Sequence, residues 1–289
     1  MTSEVPGRSP ATADAAAQKR KSDLKPRLIA GAAMAAVSLA LTFAGPAPFA
    51  LLVALVGLLM CWEWGRVVRG EDWGVALGVH GAAIAAAVAL AASGHVMPAL
   101  GAVVGVAALL LLAPLTERRA MSALGVMYVG LPAVALLWFR GDADLGLLAV
   151  LFVFVVVWTS DIAAFAAGRS IGGPKLWPRV SPNKTWSGFL GGVGATAIGG
   201  ALFAQFVPGS SGLRLAMVAL ALAVVAQAGD LAESAMKRWF GVKDSSNIIP
   251  GHGGVMDRAD STVAVSIAAA LLALLVQAAA PARALLIGG

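Results

Sequence analysis

The chain alternates between long apolar runs and short polar interruptions. Nine runs reach or approach the roughly 20 residues that a helix needs to cross a bilayer. They are 28–44, 48–62, 73–92, 96–115, 121–139, 145–167, 188–207, 213–229 and 259–280. The second is short, and the eighth is expected to continue past Gly229. Because the runs are continuously apolar rather than alternating, they predict an all-α fold, a polytopic helical membrane protein with about nine transmembrane helices.

Composition supports this class of protein. Hydrophobic residues make up 59% of the chain and charged residues 12%, whereas soluble domains carry about 25% charged residues. The single cysteine, Cys61, excludes a disulfide framework and a cysteine-based metal site. Polarity divides the chain into a disordered basic cytoplasmic tail (1–27), an N-terminal transmembrane region (28–144) and a C-terminal transmembrane region with the candidate catalytic residues (145–289).

The distribution of basic residues predicts the orientation in the membrane. If the N-terminus is cytoplasmic and nine helices follow, every Lys and Arg except Arg140, Arg214 and Arg283 lies on the cytoplasmic side. This positive-inside bias predicts a multi-pass protein of the cell's inner (plasma) membrane whose site faces the cytoplasm. The net charge of +6 is then explained by contact with anionic membrane lipids, which argues against nucleic acid as a partner.

Two long polar loops, 168–187 and 237–258, are predicted to lie on that same side. The first carries Ser181, Lys184 and Thr185 directly before the seventh apolar run. A lysine beside hydroxyl groups at a helix N-terminus is typical of a phosphate-binding patch, because free N–H groups and the helix dipole favour anions. In the alternative interpretation, Thr185 only caps the helix.

Acidic residues adjoin three of the apolar runs. Asp161 lies near the end of the sixth and Asp230 just after the eighth, while Asp257 and Asp260 stand one helical turn apart at the start of the last. Carboxylates next to a membrane helix are costly and usually functional. Their oxygens suit Mg²⁺, which commonly shares its coordination with substrate phosphates. The sequence therefore predicts a magnesium site between helices.

Glycines and cations surround these acids in the second loop. The turn that contains His252, Gly253 and Gly254 can bring backbone N–H groups close to a ligand. The neighbouring cations are Lys237, Arg238, Lys243 and Arg258. A metal that polarises phosphate oxygens, together with cations that meet developing charge, is what phosphoryl or nucleotidyl transfer requires.

Residues 234–260 read SAMKRWFGVKDSSNIIPGHGGVMDRAD, which resembles the signature of the phosphatidate cytidylyltransferases, also called CDP-diacylglycerol synthases. The elements Ser-Pro-Asn-Lys-Thr at 181–185 and Gly-Asp-Leu-Ala-Glu-Ser at 229–234 are similar to further features of that family. The resemblance implies that CTP and phosphatidic acid react to give CDP-diacylglycerol and pyrophosphate, as a step of phospholipid biosynthesis.

The resemblance also implies roles for the candidate residues. Asp230 and Asp257 would be the principal Mg²⁺ ligands, with Asp161 and Asp260 as outer members, and a second cation is left open. Asp230, Asp257, Lys184 and His252 form the candidate catalytic set. The phosphates of CTP or of the lipid would contact Ser181, Lys184, Thr185, Lys237, Arg238, Lys243, Gly253, Gly254 and Arg258.

Two other functions compete with this one. A CTP-dependent kinase acting on a polyprenol-type lipid would use similar groups but would need a base for its neutral hydroxyl, a role open to Asp257 or Asp260. An ion-coupled membrane transporter would also contain intramembrane acids, although it should then show inverted repeats or broken helices. The number of subunits is not determined by the sequence, and a homodimer is among the alternatives.

Overall fold

The computed structural model of the protein describes residues 29–70, 73–249 and 253–288, which form helices almost throughout. The helices are α1 (Ile29–Phe43), α2 (Pro46–Arg69), α3 (Val75–Ala92), α4 (Val96–Leu112), α5 (Arg119–Arg140), α6 (Gly146–Ser170), α7 (Trp186–Phe203), α8 (Gly212–Trp239), α9 (Met256–Gln277) and α10 (Pro281–Leu286). Two short strands, β1 (Lys175–Trp177) and β2 (Ser181–Thr185), lie between α6 and α7. The predicted tail at 1–27 lies outside the described residues, as does His252.

Each of the nine predicted apolar runs forms one of the helices α1 to α9, so the all-α polytopic fold is confirmed. Seven of these helices are long and apolar enough to cross a membrane, and α1 and α4 are shorter apolar helices. The predicted ends needed correction for the second and last runs. Helix α2 continues past Trp62 to Arg69, and α9 begins at Met256 rather than at Ala259.

Local sequence explains where α2 begins and ends. Pro46 occupies the first turn, where its missing N–H costs no helical hydrogen bond. Gly70 follows the last turn with φ 72°, a left-handed conformation, and its N–H donates to the carbonyl of Arg66. The residues that the helix gains beyond the apolar run include Glu63, which lies fully buried inside the bundle.

Small residues bring α6 and α7 into close contact, as the glycine-rich seventh run predicts. A Cβ added at Gly191 would stand 2.5 Å from the Cβ of Ala167, and one at Gly188 would stand 2.8 Å from the carbonyl oxygen of Ala164. Helix α7 also packs on α8, and α8 packs on α9. The four helices α6 to α9 therefore form one continuous layer of neighbours.

The hairpin between α6 and α7 was not predicted, because residues 168–187 read as a polar loop. Strands β1 and β2 pair antiparallel, with Lys175 opposite Thr185 and Trp177 opposite Ser181. The hairpin is fastened to the bundle by the Ser187 hydroxyl, which donates to the carbonyl of Gly172. As a result Lys184 stands on a strand next to the start of α7, and not on a free loop.

The remaining helices form the other side of the bundle. Helices α2, α3, α4 and α5 pack on one another, and α5 also contacts α6 and α9. The hairpin and the segment between α8 and α9 lie at one end of the bundle, since Lys184 reaches Asp230 of α8. The two predicted polar loops are therefore on the same side, as expected. The boundary predicted at residue 144 stays a prediction.

Candidate active site

Lys184 connects the hairpin to two helices through a polar network. Its ammonium forms an ion pair with Asp230 at 2.7 Å and donates to the side-chain oxygen of Gln227 at 3.2 Å. The amide nitrogen of Gln227 in turn donates to the Ser160 hydroxyl of α6 at 3.0 Å. Gln227 and Ser160 are buried, whereas the side chains of Lys184 and Asp230 keep 20% and 28% exposure. The ion pair is therefore held by a hydrogen bond to the buried Gln227, while both of its side chains remain partly exposed to solvent.

A second lysine lies in a more buried ion-pair cluster. The Lys237 ammonium contacts Glu233 at 2.7 Å on its own helix and Asp257 of α9 at 2.6 Å. The three side chains are almost entirely removed from solvent. A buried charge needs both a partner and hydrogen bonds to offset its desolvation, and here two carboxylates share one ammonium. The cluster therefore joins α8 to α9 and places two carboxyl groups on one ammonium.

Backbone N–H groups complete the surroundings of Asp257. The N–H of Ser245 donates to both of its oxygens at 3.2 and 3.0 Å, and the N–H of Gly254 donates to Oδ2 at 2.7 Å. Gly253 has φ 86°, and a Cβ there would stand 2.6 Å from the same oxygen. Only glycine satisfies both the left-handed backbone and this close approach. The N–H of Gly254 is directed at Asp257, and the predicted contact of these glycines with a substrate phosphate stays a prediction.

Asp161 and Asp260 extend the acidic group around Asp230. Asp161 is exposed on α6, and Asp260 follows Asp257 by one turn of α9 and accepts from the N–H of Ser261 at 2.7 Å. The carboxylates of Asp161, Asp230 and Asp260 are close enough to repel one another electrostatically. Across the described part of the chain, no three His, Cys, Asp or Glu side chains already stand in a metal-ligating arrangement. The magnesium ligands therefore stay a prediction.

The other predicted phosphate contacts lie in different settings. Thr185 is buried and caps α7, since its hydroxyl accepts from the N–H of Gly188 at 3.1 Å. Arg238 is exposed and donates to the carbonyl of Val242 at 3.0 Å. Lys243 and Arg258 are exposed, and Ser181 is half-buried at the start of β2. Capping therefore accounts for Thr185, while the cations remain accessible to an anionic ligand.

Glu63 of α2 is a site residue that sequence reasoning missed. Its Oε1 accepts from the Ser246 hydroxyl at 2.6 Å and the N–H of Val255 at 2.8 Å. Its Oε2 accepts from the Ser245 hydroxyl at 3.2 Å and the N–H of Met256 at 2.6 Å. The sequence did carry a signal for it, namely an acidic residue directly after an apolar run. Because that run was predicted to end at Trp62, Glu63 was expected to lie in a loop.

This arrangement suits the binding of phosphate groups together with a cation. Acids outnumber the lysines paired with them, because Asp230 pairs with Lys184 and has Asp161 and Asp260 nearby, while Glu233 and Asp257 share Lys237. Such an excess of carboxylates favours a bound cation, and oxygen ligands are those that Mg²⁺ prefers. Lysine and arginine side chains beside it can neutralise phosphate oxygens.

Comparison with known proteins gives a consistent result. Residues 25–276 match the model of the cytidylyltransferase family. The phosphatidate cytidylyltransferase of Brucella suis biovar 1 (strain 1330) is 41% identical over 261 residues, which cover 87% of this chain and 92% of that protein. The enzyme of the same name from Brucella abortus biovar 1 (strain 9-941) is 40% identical over the same length. That of Staphylococcus haemolyticus (strain JCSC1435) is 43% identical over 139 residues, or 48% of this chain and 52% of that protein.

Proposed function

The chain belongs to the cytidylyltransferase family, and from this premise we propose that it is a phosphatidate cytidylyltransferase that makes CDP-diacylglycerol from CTP and phosphatidic acid. An oxygen of the lipid phosphate attacks the α-phosphorus of CTP, and the bond from that phosphorus to the oxygen bridging to the β-phosphate breaks. Pyrophosphate leaves with the electron pair of that bond. The nucleophile is already an anion, so the reaction needs no general base.

The observation that carries this proposal is the pairing of two lysines with aspartates on two neighbouring helices. Lys184 pairs with Asp230 on α8, and Lys237 of α8 pairs with Asp257 on α9. Helix α8 packs on α9 near these pairs, because the Ser261 hydroxyl donates to the carbonyl of Ala226. Two polyanionic substrates can meet only where cations offset their mutual repulsion. The site supplies such cations at one end of the bundle.

Magnesium is proposed as the cofactor, with Asp230 and Asp257 as principal ligands and Asp161 and Asp260 as outer members. The donor set fits a hard cation, since it consists of carboxylate oxygens, the ligands that Mg²⁺ prefers. Both oxygens of Asp257 already accept hydrogen bonds, so Lys237 would have to release Oδ1 for that oxygen to bind metal. When bound, the ion would offset phosphate charge and polarise the phosphorus under attack.

We propose different roles for the individual basic residues. Lys184 is the accessible ammonium nearest to the acidic group and is proposed to bind a phosphate of CTP or of the lipid. Arg258, Arg238 and Lys243 are exposed on the same end and are proposed to orient the triphosphate. Lys237 is buried between two carboxylates, which suits it to hold Asp257 in place. Charge neutralisation and orientation together lower the barrier to in-line displacement.

The setting of the site fits a lipid substrate. Seven helices in the described part of the chain are long and apolar enough to cross a membrane, and we propose that they place this end at the cytoplasmic surface of the cell membrane, where CTP is available. The acyl chains of phosphatidic acid would stay in the bilayer while the headgroup reaches Lys184. A membrane fold is then required because one substrate never leaves the lipid phase.

Position-specific labels of CTP test the reaction. Purified protein, phosphatidic acid vesicles and Mg²⁺ are incubated with CTP that is labelled at either the α- or the γ-phosphate. The proposal expects the α-label to enter lipid and the γ-label to leave as pyrophosphate. Transfer of the γ-label to a polyprenol-type alcohol would instead establish the lipid kinase. Ion-coupled solute flux in liposomes without CTP turnover would establish a transporter.

A further inference from the structure

Glu63 and Asp257 both accept hydrogen bonds from the same two segments, one that contains Ser245 and one at the start of α9. Ser245 donates its hydroxyl to Glu63 and its N–H to Asp257. At the start of α9 the N–H of Gly254 goes to Asp257, while the next two N–H groups, of Val255 and Met256, go to Glu63. Any movement of Glu63 would therefore move the donors that fix Asp257.

The fit around Glu63 is sterically tight as well as polar. A Cβ added at Gly254 would stand 2.4 Å from Oε1 of Glu63 and 2.0 Å from the Ser245 hydroxyl. The backbone thus passes directly against the carboxylate, with no space for a side chain. Glu63 is also 0% exposed, and a buried carboxylate needs such donors to offset its desolvation. Its negative charge faces the N-terminus of α9, where the helix dipole favours it.

We propose that Glu63 is a positioning residue of the active site, which sets the geometry of Asp257 through the segments 244–249 and 253–256. This inference rests on the proposed function. The residue comes from α2, far from the signature sequence, and touches neither substrate in that role. Residues that orient a ligand of a metal or a catalytic group commonly affect affinity or activity by about 10- to 100-fold.

Glu63→Gln is the sharpest variant, because it preserves size while replacing one acceptor oxygen by a donor. Each oxygen of Glu63 receives one backbone N–H, so the amide nitrogen must leave one N–H unpaired. We expect kcat to fall about 10- to 100-fold and the Mg²⁺ concentration for half-maximal rate to rise, with little change in KM for CTP. Amide hydrogen exchange, measured without CTP, should become faster in peptides covering 244–249 and 253–256.

Met60→Ala is the matched control, since Met60 is a buried apolar residue on the same helix. It should lower the melting temperature without changing amide exchange in the two segments or the Mg²⁺ dependence. Wild-type exchange and Mg²⁺ dependence in Glu63→Gln would overturn the inference, and so would identical changes in Met60→Ala.

If Glu63→Gln fails to fold, Ser246→Ala removes one donor to Oε1 of Glu63. This variant should shift amide exchange and Mg²⁺ dependence in the same direction but by less, and no shift in either would overturn the inference.

Asp257→Ala separates this inference from the function on which it rests. An inactive Asp257→Ala beside a Glu63→Gln that behaves as wild type overturns the positioning role alone. An Asp257→Ala that retains the wild-type rate overturns the proposed use of Asp257, whatever Glu63 does. Loss of activity in both, with faster exchange in Glu63→Gln and not in Met60→Ala, supports both proposals.

Discussion

The two lysines of the candidate active site differ in how freely their ammonium groups can change partners. Lys237 is held between two buried carboxylates, whereas Lys184 and its partner Asp230 both retain solvent exposure. Exchanging a partner is easier at an exposed ion pair, because solvent already screens it and little desolvation is lost. We therefore expect a substrate phosphate to displace Asp230 from Lys184 more readily than it could displace either carboxylate from Lys237.

Lys184→Met tests this difference, because it removes the charge while keeping a long apolar stem. We expect kcat/KM for CTP to fall about 10- to 100-fold, as loss of a charge-assisted hydrogen bond of about 1.5–3 kcal/mol implies. Steady-state assays with varied CTP and phosphatidic acid would show which substrate is affected. Lys175→Met changes an exposed lysine of the same hairpin and should stay near the wild-type rate. Equal rates for both variants would remove Lys184 from the site.

At the scale of helices and strands, the sequence pattern predicted the positions of the helices more accurately than it predicted their ends. Apolar continuity marks the part of a helix in the hydrocarbon layer, but α2 and α9 extend beyond it into polar residues. Those extensions carry Glu63 and Asp257, whose hydrogen bonds come from residues remote in sequence. The partners of Glu63 could not be predicted, since they depend on how α2 packs against α9. The contact of Asp257 with Lys237 depends in the same way on how α8 packs against α9. The hairpin was missed for a similar reason, because its five-residue strand has no apolar alternation.

The contact between α6 and α7 gives a prediction about stability. Gly191→Ala places a methyl group 2.5 Å from the Cβ of Ala167, so we expect loss of about 1–3 kcal/mol through overpacking. Gly194→Ala on the same helix meets nothing within 4 Å and should be neutral or slightly stabilising, because alanine favours helix over glycine. Thermal unfolding in detergent would compare them. Equal melting temperatures for the two variants would show that α6 and α7 can move apart to admit the methyl group without a loss of stability.

For the whole molecule, the site is assembled from both sides of the bundle. Helices α8 and α9 supply Lys237 and most of the acids, and β2 supplies Lys184. Helix α2 supplies Glu63, whose carboxylate anchors the segment between α8 and α9. Sequence analysis assigned catalysis to residues 145–289 because only that part carries recognisable motifs. A fragment limited to those residues would lack Glu63, so α2 contributes contacts to the candidate site as well as a membrane span.

Sidedness is the last whole-molecule property that the sequence predicts. Helix α6 has 25 residues, which at about 1.5 Å each span a bilayer core. The turn before it at Ala143 and the segment between α8 and α9 at Asn247 should therefore face opposite compartments. Both positions are exposed, and the native Cys61 is fully buried. Single cysteines placed there can be labelled with a membrane-impermeant maleimide.

We expect Asn247→Cys to react in inside-out vesicles and Ala143→Cys to react in intact cells, because the positive-inside bias predicts that the cationic end faces the cytoplasm. The unsubstituted protein, whose only thiol is buried, measures the background. Labelling of both cysteines from one side would contradict the span of α6. The reverse pattern would place the cationic end outside, away from cytoplasmic CTP, so the enzyme could not work in the proposed orientation.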